Sequence, residues 1–134
     1  MDPTAHILVV DDEPVVRQFA TRVLADAGYG VTTAEDGAEA LQLVRERGER
    51  LRVVVSDIVM PRLNGVQLLE ALSVSHPDLP IILMSGYAHA QLARQGIAAP
   101  CSLLAKPFAP EALLAEVRRC LDQASPGSPT PSAA

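Results

Sequence analysis

The sequence predicts an α/β fold: a single domain built on a central five-stranded parallel sheet with helices on both faces. Three observations predict it. Five short β-branched runs alternate with segments of helical period. The runs are apolar on both faces, as strands covered on both sides must be. The length, 134 residues, suits one layered core and needs no disulfide or metal for folding. Apolar residues make up 49% and aromatics only 3%, with no Trp, so that core must be assembled from Val, Leu, Ile and Ala.

The first run is "HILVV", His6–Val10. Pro14 can open the helix after it, because proline lacks an N–H that the first turn would leave unpaired anyway. Val15, Val16, Phe19, Ala20, Val23 and Leu24 then repeat at helical spacing up to Gly28. "GVTTA" forms the second strand, and Asp36 can cap a second helix in which Ala40, Leu41 and Val44 share a face before Gly48. "RVVVS" is the third strand; the stripe Val66, Leu68, Leu69 and Leu72 follows it and stops at "HPDLP". After the fourth strand, "PIILMS", the segment Ala88 to Gly96 is short, Ala-rich and polar on most faces. "CSLLA" is the fifth strand. Pro110 opens the last helix, with Leu113, Leu114, Val117 and Leu121 inward and Glu111, Glu116, Arg118 and Arg119 outward. Strand–helix order repeated five times implies right-handed crossovers. From Gln123 the chain reads "QASPGSPTPSAA", without periodicity, so residues 1–122 form the domain and 123–134 a disordered tail or linker.

A net charge of −5, from 16 acidic and 11 basic residues, argues against nucleic acid as the main partner, since phosphate binding needs a basic patch. No apolar run is long enough to span a bilayer, and no secretory leader is visible, which predicts a soluble, cytoplasmic protein. Cys101 and Cys120 form no C-x-x-C pair and have no histidine at ligand spacing, so both are expected as reduced thiols. His6, His76 and His89 read as structural or surface groups.

In a parallel sheet all C-terminal strand ends lie on one edge, where ligands of open α/β sheets bind. Asp11, Asp12 and Glu13 follow the first strand, Asp57 the third, Ser85 the fourth and Lys106 the fifth. Each alone has a plain reading: a solvated turn, a loop acid, a turn serine, a surface lysine. Together they make an acidic cluster that a hard cation such as Mg²⁺ would neutralise through oxygen ligands. A carboxylate beside that cation, an ammonium and a hydroxyl has the parts for phosphoryl transfer onto the carboxylate itself. Lys106 is the sole lysine, in a chain that otherwise uses arginine. A compact ammonium differs from a planar guanidinium in reach and hydration.

Four segments, "LVVDDEP", "VVSDIVMPRLNG", "ILMSGYA" and "LLAKPF", in this order and spacing, resemble the receiver domains of two-component signalling over about residues 5 to 122. The resemblance implies a flavodoxin-like fold with strand order 2-1-3-4-5 and Asp57 as phosphoacceptor. It implies Asp12 as a direct Mg²⁺ ligand, Asp11 acting more through water, and the Val59 carbonyl as a further ligand. Ser85 matches the switch hydroxyl and Lys106 the phosphoryl-contacting lysine, with a cis Lys106–Pro107 bond, which the sequence alone would leave trans. The implied donor is a histidine kinase or a histidine phosphotransfer protein. The implied output surface for a downstream protein is the face of the fourth helix, fifth strand and fifth helix. "LMSGYA" with "LLAKPF" is similar to receivers at the C-termini of hybrid sensor kinases.

Two departures matter. The family's aromatic switch position holds Leu103, and the positions flanking the site, Val59 and Tyr87, offer no acid or amide to a hydrolytic water. Two other readings stand beside the receiver. A haloacid-dehalogenase-type phosphatase needs a second Asp where Val59 stands. A phosphorylation-independent interaction module is usually marked by a lost acidic pair, Asp or Lys, and none is lost.

Overall fold

The computed structural model describes residues 5–86 and 100–124. Five strands, β1 (His6–Val10), β2 (Gly30–Ala34), β3 (Leu51–Asp57), β4 (Ile81–Ser85) and β5 (Ser102–Ala105), pair in parallel in the order β2-β1-β3-β4-β5. Four helices are described: α1 (Pro14–Asp26), α2 (Gly37–Arg47), α3 (Gly65–Ser75) and α4 (Pro110–Ala124). The expected helix over Ala88 to Gly96 lies outside the described residues, as do residues 125–134 of the expected tail. The last helix runs past the expected boundary at Asp122, to Ala124.

Strand alternation sorts the core into two layers. Leu8, Val10, Val54 and Leu83 face Ala40 and Val44 of α2 and Leu68 and Leu72 of α3. Ile7, Val9, Val53, Val55, Ile82 and Met84 face Ala20 and Leu24 of α1 and Leu113 and Val117 of α4. Each fully buried aliphatic side chain contributes about 1.5–3 kcal/mol, so the β1–β3–β4 centre carries the stability without aromatic help.

Val15 and Phe19 belong to the apolar set that repeats at helical spacing in α1, yet they are 78% and 41% exposed. The helix seats Ala20 and Leu24 instead, which turns Val15 and Phe19 away from the sheet. Phe19 finds its partner in Phe108, with ring centroids 5.7 Å apart. Cys101 and Cys120, expected as free thiols, form a disulfide. Nothing local in the sequence announces it. The crossover from β5 into α4 folds the chain back and brings the two Cα atoms to 6.2 Å, within bridging range.

The loop after β3 is held by a latch. Asp36 caps α2, accepting from the Glu39 N–H at 2.8 Å, as the sequence predicts. Its other oxygen accepts from Arg62 Nε at 2.9 Å and faces Arg62 Nη2 at 2.9 Å. Arg62 adopts φ 69°, a left-handed conformation unusual for a residue with a Cβ. Asn64 then caps α3 in a reciprocal box with Gln67. The Lys106–Pro107 bond is cis.

The Glu39 N–H, followed by the Arg62 guanidinium, holds the Asp36 carboxyl below the usual carboxylate range. A carboxyl with a lowered folded pKa stabilises above its unfolded pKa, near 4, and loses that contribution as pH falls through the folded value. Asp36→Ala should therefore cost about 1 kcal/mol at neutral pH. In urea denaturation, the gap between parent and variant should close in acid.

Candidate functional site

Each side chain of the site is delivered by the end of a strand. Asp11 follows β1, its backbone N–H continuing the sheet by donating to the Ala34 carbonyl at 3.1 Å. Its side chain is fully buried, and Oδ1 accepts from the Glu13 N–H at 2.9 Å. Arg17, one turn into α1, donates to the Asp11 carbonyl at 2.7 Å and fixes the turn between strand and helix. Asp57 is the last residue of β3, paired with Met84 and 7% exposed. The next residue, Ile58, donates its N–H to the Met84 carbonyl at 3.1 Å, so the backbone stays tied to β4 beyond the carboxylate.

Gly65 is required by this placement. A Cβ there would collide with the Asp57 carbonyl oxygen and crowd Ile58 Cα, while the Gly65 N–H donates to the Ile58 carbonyl at 2.8 Å. Helix α3 thus starts in van der Waals contact with the backbone that carries Asp57. Ser85 ends β4 and is buried, and its carbonyl accepts from the Lys106 N–H at 2.9 Å.

Lys106 closes the cluster. Its Nζ lies 3.0 Å from Asp11 Oδ2, 3.2 Å from Asp57 Oδ2 and 3.8 Å from Glu13 Oε1. Asp11, Asp12 and Asp57 each offer a carboxylate oxygen, all within 4.8 Å of one another, with Asp12 exposed and the other two buried. Two unit charges that far apart repel by on the order of 3 kcal/mol at an effective dielectric of about 20. One ammonium cannot offset three carboxylates. The residue of negative charge and the all-oxygen donor set fit a hard divalent ion such as Mg²⁺. Burial, then the Asp11 charge, push the Asp57 carboxyl above its usual range, against the pull of Lys106 and the Val59 N–H. Burial alone would lower Lys106, but the hydrogen bonds and charges of Asp11 and Asp57 together raise it.

The structure therefore brings Asp11, Asp12, Asp57 and Lys106 together and puts Ser85 at the adjoining strand end. The Val59 side chain is 45% exposed, and its N–H turns toward Asp57. Leu103 is half-buried and packs on the α2–α3 layer; Tyr87 and His89 lie outside the described residues. His6 bonds Thr32 Oγ1 at 2.7 Å and His76 bonds Ser75 Oγ at 2.8 Å, in keeping with structural roles. Sequence reasoning missed Arg17, Gly65 and the contact of Lys106 with Asp11. Of these only Gly65 left a signal, as the glycine closing "PRLNG".

Residues 7–118 match the family described as response regulator receiver domain. The chain is 40% identical over 121 residues to the sensor kinase CckA of Brucella abortus, covering 90% of this chain and 13% of that protein. It is equally 40% identical over 122 residues to the response regulator MprA of Mycobacterium sp. (strain KMS), covering 90% of this chain and 52% of the regulator. Among solved structures, a response regulator receiver domain protein from Clostridium thermocellum superposes with a TM-score of 0.82 at 27% identity, covering 89% of this chain and 95% of that one.

A carboxyl whose folded pKa is raised favours the folded state below its unfolded pKa and loses that contribution as pH rises through the folded value. Ionised Asp57 is thus a net cost at neutral pH. Asp57→Asn should raise the melting temperature in chelator at pH 7, and the gain should shrink in acid. Added Mg²⁺ should stabilise the parent more than the variant.

Proposed function

The chain belongs to the response regulator receiver family of two-component systems, and from that premise we propose that it is a phosphoacceptor receiver carrying its phosphoryl group on Asp57. The observation that carries this reading is the placement of a buried Asp57 carboxylate 3.2 Å from Lys106 Nζ, beside Asp11 and Asp12, at one sheet edge.

An Asp57 oxygen attacks phosphorus, the bond to the donor's imidazole nitrogen breaks, and the imidazole retains the electron pair and takes up a proton. Lys106, already poised between Asp11 and Asp57, moves its charge toward the incoming equatorial oxygens. Ser85 supplies a hydroxyl donor from the next strand. Asp12, Asp57 and the Val59 carbonyl, with Asp11 through water, would hold Mg²⁺, which would supply charge neutralisation beside the phosphoryl oxygens. The chain catalyses only its own phosphorylation and dephosphorylation and turns over no separate substrate.

The phosphodonor is a histidine kinase or a histidine phosphotransfer protein. Val15 and Phe19, exposed on the first turns of α1, with Phe108 just beyond Lys106, flank the site with apolar surface that such a donor can cover. A downstream protein reads the face formed by β5 and α4. The chain spans about half the length of the MprA regulators it matches and 13% of the sensor kinase. A place within a hybrid sensor kinase is our preference, from "LMSGYA" and "LLAKPF". Cytoplasmic signalling is the setting this role requires, and no described helix is long and apolar enough to cross a membrane.

Incubation with a small acyl phosphate and Mg²⁺ should add one phosphoryl mass to the intact protein. No adduct, or an adduct that persists in Asp57→Asn, overturns the reading. Lys106→Arg keeps the charge but not the compact geometry, and should slow phosphorylation by about tenfold or more. Because Val59 offers no group to position water, the parent's adduct should last minutes or longer; decay within seconds would argue otherwise.

A further inference from the structure

The Cys101–Cys120 disulfide closes a covalent ring around the most consequential part of the chain. Cys101 stands immediately before β5 and Cys120 in the third turn of α4, with a sequence separation of 19. The ring contains all of β5, Lys106, the Pro107 turn and the start of α4. It joins one strand and one helix of the proposed output face to each other.

Non-covalent contacts hold the same two elements together. Ser102 Oγ donates to Glu116 Oε1 at 2.6 Å, and Arg119 Nη2 donates to the Cys101 carbonyl at 2.7 Å. Arg119 also pairs with Glu116 at 3.1 Å, while the Cys101 N–H ties the start of β5 to β4 by donating to the Ile81 carbonyl at 2.7 Å. Leu113 and Val117 are fully buried beneath them. The β5–α4 pair therefore stays folded without the cross-link. What the cross-link removes is the freedom of the pair to open locally.

Access to the two sulfurs is unequal. Cys120 is fully buried, whereas Cys101 is half-buried. Both line a groove of about 560 Å³ that also includes Leu69, Pro77, Leu79 and Ile81. A thiolate entering that groove meets Cys101 first.

We propose that Cys101–Cys120 is a thiol–disulfide exchange site whose substrate is a dithiol reductant, and whose redox state sets how far β5 and α4 can move when Asp57 is phosphorylated. One thiolate of the reductant attacks the Cys101 sulfur. The S–S bond breaks, and the Cys120 sulfur leaves with the electron pair and takes up a proton. The second reductant thiol then attacks its partner sulfur and releases Cys101 as a thiol. Two electrons pass to the protein, and the reductant ends as a disulfide. The reverse exchange, in which the reductant's disulfide accepts the two electrons and two protons of the Cys101 and Cys120 thiols, re-forms the cross-link and ties β5 to α4. The second half of the proposal rests on the receiver reading; the first does not.

The test uses the full chain equilibrated in dithiothreitol buffers of graded potential and then alkylated. Intact mass should pass from no alkyl groups to two in a single two-electron step. Amide exchange across residues 101–124 should be faster in the reduced protein, on the order of tenfold. The double variant Cys101→Ser/Cys120→Ser should match the reduced parent in every buffer. Two alkyl groups without reductant, or identical exchange in both redox states, overturns the site. After treatment with acyl phosphate and Mg²⁺, the phosphoryl-induced change in exchange over this segment should be larger in reduced than in oxidised protein. Equal changes overturn the gating. Absence of any phosphoryl adduct defeats the receiver reading, while the redox dependence of exchange still decides whether the exchange site exists.

Discussion

The arrangement of the strand ends is organised around like charge: two buried carboxylates, at the ends of β1 and β3, share a single ammonium from the far edge of the sheet. Lys106 reaches past β4 and β3 to bond Asp11, a residue 95 positions earlier in the chain. That bond exists only if every strand between them is in register. Val10 opposite Ser56, Asp57 opposite Met84 and Ser85 opposite Ala105 set the carboxylates and the lysine level. A slip of one residue in β3 would turn Asp57 into a helix-covered apolar layer, where its charge would have no partner. The site is therefore also a check on the topology.

Such a cluster does not stabilise the fold. Breaking a buried pair is expensive, but forming one rarely improves on an apolar substitute. Stability comes from the two aliphatic layers, and the residues around Asp57 serve to keep its position fixed against the repulsion. Gly65 lets α3 begin against the Asp57 carbonyl, and the Asp36–Arg62 pair ties the intervening loop to α2. A glycine, a helix cap and a left-handed arginine thus act on a carboxylate that none of their side chains touches.

The five strands were legible because each is a β-branched run with apolar residues on both faces, and Pro14, Asp36 and Pro110 mark helix starts by their own chemistry. The site residues were legible for a related reason: in a parallel sheet, position just after a strand already specifies the edge. What stayed hidden depends on how helices roll and where crossovers return. The exposure of Val15 and Phe19 follows from the rotation of α1 on the sheet, which spacing alone does not fix. The disulfide follows from the return of α4 over the start of β5, between residues with no local motif. Arg17 looked like one more surface arginine until the turn after β1 placed the Asp11 carbonyl within its reach.

Leu103 leaves no aromatic ring to swing between buried and exposed positions, and it packs on the α2–α3 layer while its neighbour Leu104 packs on the other. The backbone remains as a connection out of the site. The Lys106 N–H is bonded to the Ser85 carbonyl, so the two groups proposed to meet a phosphoryl oxygen are already coupled across the β4–β5 seam. A pull on either strains the same hydrogen bond and loads β5 along its length. At the other end of that short strand stands Cys101, fixed to α4 by the disulfide and by Arg119. Under the proposed phosphorylation, motion begun at Lys106 would either carry α4 with it or be resisted by that anchor, and with Leu103 in place of a rotating aromatic, the stiffness of the β5–α4 pair would set the response.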